Sequence, residues 1–255
     1  MALAVSGVLL GAIMYGIIPG VITMATRFEL LFVNGLGMPY NIGVLIYALL
    51  LLASLIYGIY LTQFQKEKHA LMAAAFSVAI FLLGIPLVFK SLFLAILISI
   101  AVFFVARQYT KNHPYILNTI LVGFMAILLG YSSIAMIVIR SNANPPMDQN
   151  DPENLFSLLY YLNREQYGDR PLLHGPTYNA PILESEETEP VYSALNGKYE
   201  ITSHKIDYKY NPRFLTLFPR MYSRERNHVE AYEHWGKVQG TKIRVQGQDG
   251  KQNSW

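Results

Sequence analysis

Two short stretches of this 255-residue chain carry side chains able to do chemistry. The first is Asp148-x-Asn150-Asp151-x-Glu153, whose oxygens are of the type that binds a hard divalent cation. It lacks the glycine and the distal glutamate of a full calcium loop, and Asp151-Pro152 already reads as a helix start. No metal site is therefore assigned; a divalent cation has only this weak support, and no other cofactor is indicated. The second stretch is Arg164-Glu165-x-Tyr167-x-Asp169-Arg170. Guanidinium forks match phosphate oxygens in pairs, which makes Arg164 and Arg170 candidates for an anionic group. The plainer account is a salt-bridged helix end. Arg140 and Arg27 are two further candidates, each placed where an apolar run meets polar sequence. His174, His204, His228 and His234 show no metal spacing such as H-E-x-x-H. Glycine-rich phosphate loops, nucleophile elbows and kinase signatures are absent, and no catalytic residue is assigned.

The elements that must position these residues begin with a helix over 152–167. Asp151 is its expected cap, Pro152 its first residue, and Glu153 lies in the first turn, where the helix dipole favours an anion. Leu155, Leu158, Leu159 and Leu162 form one apolar stripe. Gly168 closes the helix and Asp169-Arg170-Pro171 turns the chain away. Asn142, Asn144, Pro145 and Pro146 upstream cannot continue a helix. Residues 141–181 thus form a motif segment between two unlike halves.

The chain is 53% hydrophobic and 15% charged, where a soluble domain carries about 25% charged residues. The shortage is confined to residues 1–140, which hold seven Lys/Arg against two Asp/Glu, a net of +5. Residues 141–255 hold thirteen against fifteen, a net of −2. The cations flank apolar runs, so the basic pI does not point to nucleic acid. There is no cysteine, which excludes disulfides and thiolate chemistry.

Apolar runs of roughly 20 residues span a bilayer, and five are expected, at about 2–26, 42–62, 70–89, 92–106 and 115–139. Lys66, Lys68, Arg107 and Lys111 fall in the loops of one side, and Arg27 and Lys90 in those of the other. Taking the richer side as cytoplasmic puts the N-terminus inside and everything after Arg140 outside. Loop 27–41, RFELLFVNGLGMPYN, reads as an interfacial half-turn in the headgroup region. Its functional alternative is the re-entrant wall of a lipid-facing cleft, with Arg27 near a phosphate. Residues 182–255 are expected to form a small α+β subdomain. An acidic linker at Glu184, Glu186, Glu187 and Glu189 is followed by a hairpin from Val191 to Tyr210 around Asn196-Gly197. Ser223 caps a short helix that Gly236 ends, and the tail 240–255 is polar and glycine-bearing, ending without a stop signal for any element. The fold class is mainly α, with about five transmembrane helices and this subdomain.

Several strings resemble a known family: RFELLFVNGLGMPYNIGV at 27–44, Gly130-Tyr131-Ser132-Ser133, Asn142-Ala143-Asn144-Pro145-Pro146, Asp151-Pro152-Glu153-Asn154 and Arg164-Glu165-Gln166-Tyr167-Gly168-Asp169-Arg170-Pro171. Phe218 to Ser223 and His228 to Trp235 continue the match. They resemble a bacterial multi-pass family, long catalogued as a domain of unknown function, that is similar to the eukaryotic transmembrane protein O-mannosyltransferases. The resemblance implies a GT-C-type fold in the bacterial inner membrane. It also implies transfer of a mannose-like sugar from a polyprenyl-phosphate carrier to hydroxyl groups of exported protein. The partners so implied are the bilayer, the lipid-linked donor and the protein acceptor. The acidic Trp-Asp-x-Gly-Glu-type motif of that family has no counterpart here, and members continue beyond the region matching 240–255. The chain is therefore expected to be an internal fragment or a split product. In this reading Arg140, Arg164 and Arg170 attend the lipid phosphate, with Asp148, Asp151, Glu153, Glu165, Tyr167 and Asp169 in support. The alternative is a non-catalytic membrane scaffold whose outer domain binds a partner. A transporter segment is disfavoured, because no charge falls inside any expected span.

Overall fold

A long apolar segment hidden from water must satisfy its own backbone, and the helix is the local way to do so. The computed structural model describes residues 2–65, 67–89, 91–147, 151–165, 171, 173–219, 223, 225–237, 244–246 and 252–254. Among these, helices Ala2–Gly35, Ile42–Phe64, Leu92–Lys111 and Pro114–Ser141 are long and apolar enough to cross a membrane.

The first runs as α1 (Ala2–Ala12), a π-helical turn Ile13–Ile17, α2 (Ile18–Leu30) and a second π turn Leu31–Gly35. Pro19 opens α2; its ring and missing N–H disrupt the ladder one turn back, where the first π turn lies. The expected loop 27–41 is thus helical as far as Gly35, and Arg27 and Glu29 belong to a helix. Then come α3 (Ile42–Phe64), α4 (His69–Leu82) and α5 (Leu92–Asn112). The last long helix comprises α6 (Pro114–Tyr131), a 3-10 turn and α7 (Ala135–Ser141).

The third expected span is cut short. Gly84, at φ 71°, reverses the chain behind α4, and Pro86 lies in a 3-10 turn. At 14 residues, α4 is about 21 Å long, less than the roughly 30 Å hydrocarbon core. Four helices rather than five therefore have the length expected of a span. A Cβ on Gly84 would collide with the Gly20 carbonyl, so this turn lies directly on the backbone of α2. The expected fourth span runs on beyond residue 106, and Pro114 starts the next helix where its missing N–H costs nothing. Leu55, Ala73, Ala79, Leu83, Ala95 and Leu121 are fully buried at the centre of the bundle.

The chain divides into two compact units, residues 1–166 with 193–200, and residues 167–192 with 201–255. The first ends with α8 (Leu155–Leu162), which packs on α2. The helix expected over 152–167 is shorter for a local reason. Asp151 has φ 43°, a left-handed conformation, and Asn154 is the cap, joined to Ser157 in a reciprocal capping box. Arg164 at φ 55° follows the last turn.

The second unit contains most of a long hairpin formed by β2 (Ile182–Leu195) and β3 (Lys198–Tyr210). The acidic residues expected in a linker belong to β2, where side chains of the facing strand hold them. Lys205 meets Glu189 at 3.1 Å, His204 approaches Glu187 at 3.6 Å, and Lys209 reaches both Glu184 and Glu186. β1 (His174–Pro176) pairs antiparallel with β4 (Leu215–Leu217). α9 (Arg226–Gly236) starts after Glu225, and Ser223 bonds His228 instead of capping the helix. Tyr178 donates to Glu233 at 3.0 Å, and burial together with that carboxylate raises its phenol above the usual range. In the tail, β5 (Arg244–Gln246) and β6 (Gln252–Ser254) pair antiparallel.

Candidate functional site

The best-defined polar cluster of the first unit is built where the first long helix gives way to α3. Met38 N donates to Phe32 O at 3.0 Å, Gly37 N to Val33 O at 3.1 Å, and the chain doubles back within a few residues. Asn41 stands at φ 69° as the residue before α3, and its own side chain makes no cap. The cap comes from the neighbouring helix. Glu29, with no exposed surface, accepts from Asn41 N at 2.6 Å on one oxygen and from Val44 N at 3.1 Å on the other. A carboxylate at a helix N-terminus satisfies donors that the helix cannot, and it meets the positive end of the dipole.

The tip of the β2–β3 hairpin completes the cluster. Tyr199 Oη donates to Glu29 at 3.2 Å. Asn34 pairs with the Tyr199 backbone as a neighbouring strand would, donating to its carbonyl at 2.8 Å and accepting from its N–H at 2.9 Å. Tyr40 Oη donates to Lys198 O at 2.9 Å. The Tyr199 ring lies 5.1 Å from Tyr40 and 4.8 Å from Phe156 of α8, in tilted and edge-on geometries that aromatic pairs favour. Burial and the Glu29 carboxylate, with a smaller contribution from Tyr40, raise the Tyr199 phenol above its ordinary range.

A phenol with a raised folded-state pKa contributes stability below its unfolded value, about 10, and loses it as pH rises through the folded value. We therefore expect the stability difference between wild type and Tyr199→Phe to shrink above about pH 10. At neutral pH the variant loses about 1 kcal/mol, one hydrogen bond with both rings kept. Thermal unfolding of the two proteins from pH 7 upward checks both statements. A constant difference across that range would contradict the assignment.

Glu29 has no exposed surface and accepts three hydrogen bonds, which makes it a fixed acceptor that joins two helices and the hairpin tip. A general base must reach the proton it abstracts, and this carboxylate is sealed. Arg27, two residues before Glu29, is half-buried. Arg140 is exposed in the last turn of α7, and Arg164 is exposed after α8. The structure brings parts of the motif segment together. Asn142 Nδ2 donates to Glu153 O at 3.0 Å, and Ser141 Oγ to Asp151 Oδ1 at 3.4 Å. Asp151 therefore serves the connection between α7 and α8, and Glu165 accepts from Asn163 at 3.1 Å. Asp148, Tyr167, Asp169 and Arg170 lie outside the described residues. Among those described, no group of three His, Asp or Glu side chains could hold a metal.

Sequence reasoning noted Glu29 only as part of a loop. The signal that could have found it is an acid isolated in an apolar run and followed by Asn34, since such a group must be bonded or expelled. Nothing in the local sequence names Tyr199 as its partner 170 residues away.

A family of unknown function, DUF8416, matches residues 168–250, about a third of the chain. The matched range includes the hairpin tip that carries Tyr199. Neither the curated proteins nor the solved structures give a match to this chain.

Proposed function

We propose that the chain is part of a multi-pass membrane glycosyltransferase of the O-mannosyltransferase-like type, moving a sugar from a polyprenyl-phosphate carrier to hydroxyls of exported protein. Its contribution is the membrane platform and the outer-face subdomain. The observation that supports this reading is the convergence of the family-like strings. Residues 27–44, 142–146 and 151–154, far apart in sequence, belong to one unit through α2, α3, α7 and α8. In this proposal the N-terminus is cytoplasmic and residues after Arg140 are periplasmic; the four long helices cross the inner membrane, and α4 with the turn behind it carries the chain across between α3 and α5, the fifth crossing that this orientation requires. Arg140 and Arg164 are the exposed guanidiniums that stabilise the leaving phosphate as charge develops on it. The base that deprotonates the acceptor hydroxyl comes from another segment, because Glu29 is committed to the α3 cap.

The test is transfer of radiolabelled mannose from polyprenyl-phosphate mannose to a serine- and threonine-bearing peptide, in membranes holding the full-length protein. Arg140→Ala and Arg164→Ala are each expected to lower the rate about a hundredfold, as loss of a transition-state donor does, while protein levels stay constant. Unchanged rates in both variants would remove these residues from the site. The sequestration of Glu29 favours a second reading, a non-catalytic scaffold. That reading predicts no transfer from the full-length protein and a protein partner that binds whether or not lipid-linked sugar is present.

A further inference from the structure

The other end of the bundle carries a second polar site. α3 has 23 residues, so its two ends are about 35 Å apart, and the Glu29 cluster occupies one of them. Just past the other end, the connection into α4 and the last turns of α5 line an open pocket of about 490 Å³. Lys68, Arg107 and Lys111 line it, with Glu67 as the one acid among its lining residues. Among the described residues, none of the three cations is engaged in an ion pair. His69 lines the same pocket, and its Nδ1 is buried without a hydrogen-bond partner. Such a group is costly to leave empty-handed and is uncommon in folded proteins. Ala70 and Leu71 add the first turn of α4, whose N-terminus has no side-chain cap.

A second feature continues from the pocket along the same two helices. An apolar groove of about 450 Å³ is lined by Ala74, Val78 and Phe81 of α4 and by Ile96, Ile100 and Phe104 of α5. From Leu71 the α4 positions follow at steps of three or four, and from Arg107 the α5 positions recede at steps of three or four. Each set is one helix stripe, so cations stand at one end of a continuous apolar strip. A free anion would need the first part alone. A molecule with an anionic head and an alkyl chain fits both.

We propose that this pocket and groove bind one anionic phospholipid, with its phosphate among Lys68, His69, Arg107 and Lys111 and an acyl chain along α4 and α5. Basic pockets between membrane helices hold lipid head groups in this way. The proposal rests on the reading that these helices lie in a bilayer, and it is independent of sugar transfer. It also gives Lys68, Arg107 and Lys111, three of the cations that set the expected orientation, a common ligand.

The test uses the full chain purified in a neutral detergent and titrated with dioctanoyl phosphatidylglycerol, with native mass spectrometry counting bound lipids. One lipid is expected to be retained, and dioctanoyl phosphatidylcholine should bind at least about tenfold more weakly. Arg107→Gln combined with Lys111→Gln should raise the phosphatidylglycerol Kd at least about tenfold. Glu67→Gln removes the one acid and should tighten binding, which gives an answer even if the double variant fails to fold. Millimolar inorganic phosphate should not displace the lipid, and Ala74→Phe, which fills the groove, should. Unaltered affinity in Glu67→Gln and the double variant would overturn the proposal. Full displacement by phosphate would too, since it indicates a free-anion site. Flotation of the chain with phosphatidylcholine vesicles separates failure of lipid binding from failure of membrane insertion.

Discussion

Glu29→Ala is expected to destabilise the first unit by about 3–5 kcal/mol, enough to consume much of an ordinary domain's margin. Three donors lose their acceptor at once: Asn41 N, Val44 N and the Tyr199 hydroxyl. The space left is fully buried, so water does not replace the carboxylate freely, and the two backbone N–H groups at the start of α3 become unsatisfied. Glu29→Gln should cost less, about 1–3 kcal/mol, because the amide oxygen can serve one side while its NH₂ faces a donor on the other. Thermal unfolding in detergent reads both values. Proteolysis at the Asn196-Gly197 turn should accelerate in step, since the hairpin tip loses its anchor. The result that would sink this account is sugar transfer abolished by Glu29→Gln with unfolding unchanged, for that pattern belongs to a catalytic carboxylate.

How far the sequence could foretell this depends on the range of the interaction. Apolar runs report helices directly, because a backbone hidden from water has few other solutions, and the long helices lie where hydropathy places them. Their ends were less legible. Charge was read as marking a loop at Arg27 and at Arg107, yet both residues sit within helices, because a long side chain near a helix end can reach polar surroundings. Gly84 and Pro86 were visible punctuation, and weighing them above the apolar run would have shortened the third span. The acidic stretch 184–189 misled because strand pairing supplied Lys205, Lys209 and His204 as partners that a linear reading could not assign. Asp151 was expected to cap a helix on good local grounds, but Asn154 forms a complete box with Ser157 and takes its place. The Glu29–Tyr199 contact was beyond reach: the isolated acid signals that some partner must exist, but only the fold brings Tyr199 to it.

Gly43 provides a second large effect, and one that separates packing from hydrogen bonding at the same place. A Cβ there would lie 2.6 Å from Glu29 Cα and 2.7 Å from Phe28 O, both backbone atoms of a packed helix that cannot swing aside. Gly43→Val is therefore expected to cost at least about 3 kcal/mol, since α3 must retreat from α2. Retreat also stretches the 3.1 Å bond from Val44 N to Glu29, so the damage should overlap with that of Glu29→Gln. A double-mutant cycle is expected to show the pair losing less than the sum, with a coupling of about 0.5–3 kcal/mol. Gly123→Ala is the control: it lies inside α6 with open space around it, and the exchange should add about 0.5–1 kcal/mol through helix propensity alone. If Gly43→Val behaved like Gly123→Ala, α2 and α3 would not be in backbone contact. The cap supplied by Glu29 would then have to be abandoned as well, because that carboxylate reaches Asn41 and Val44 only if the two helices approach this closely.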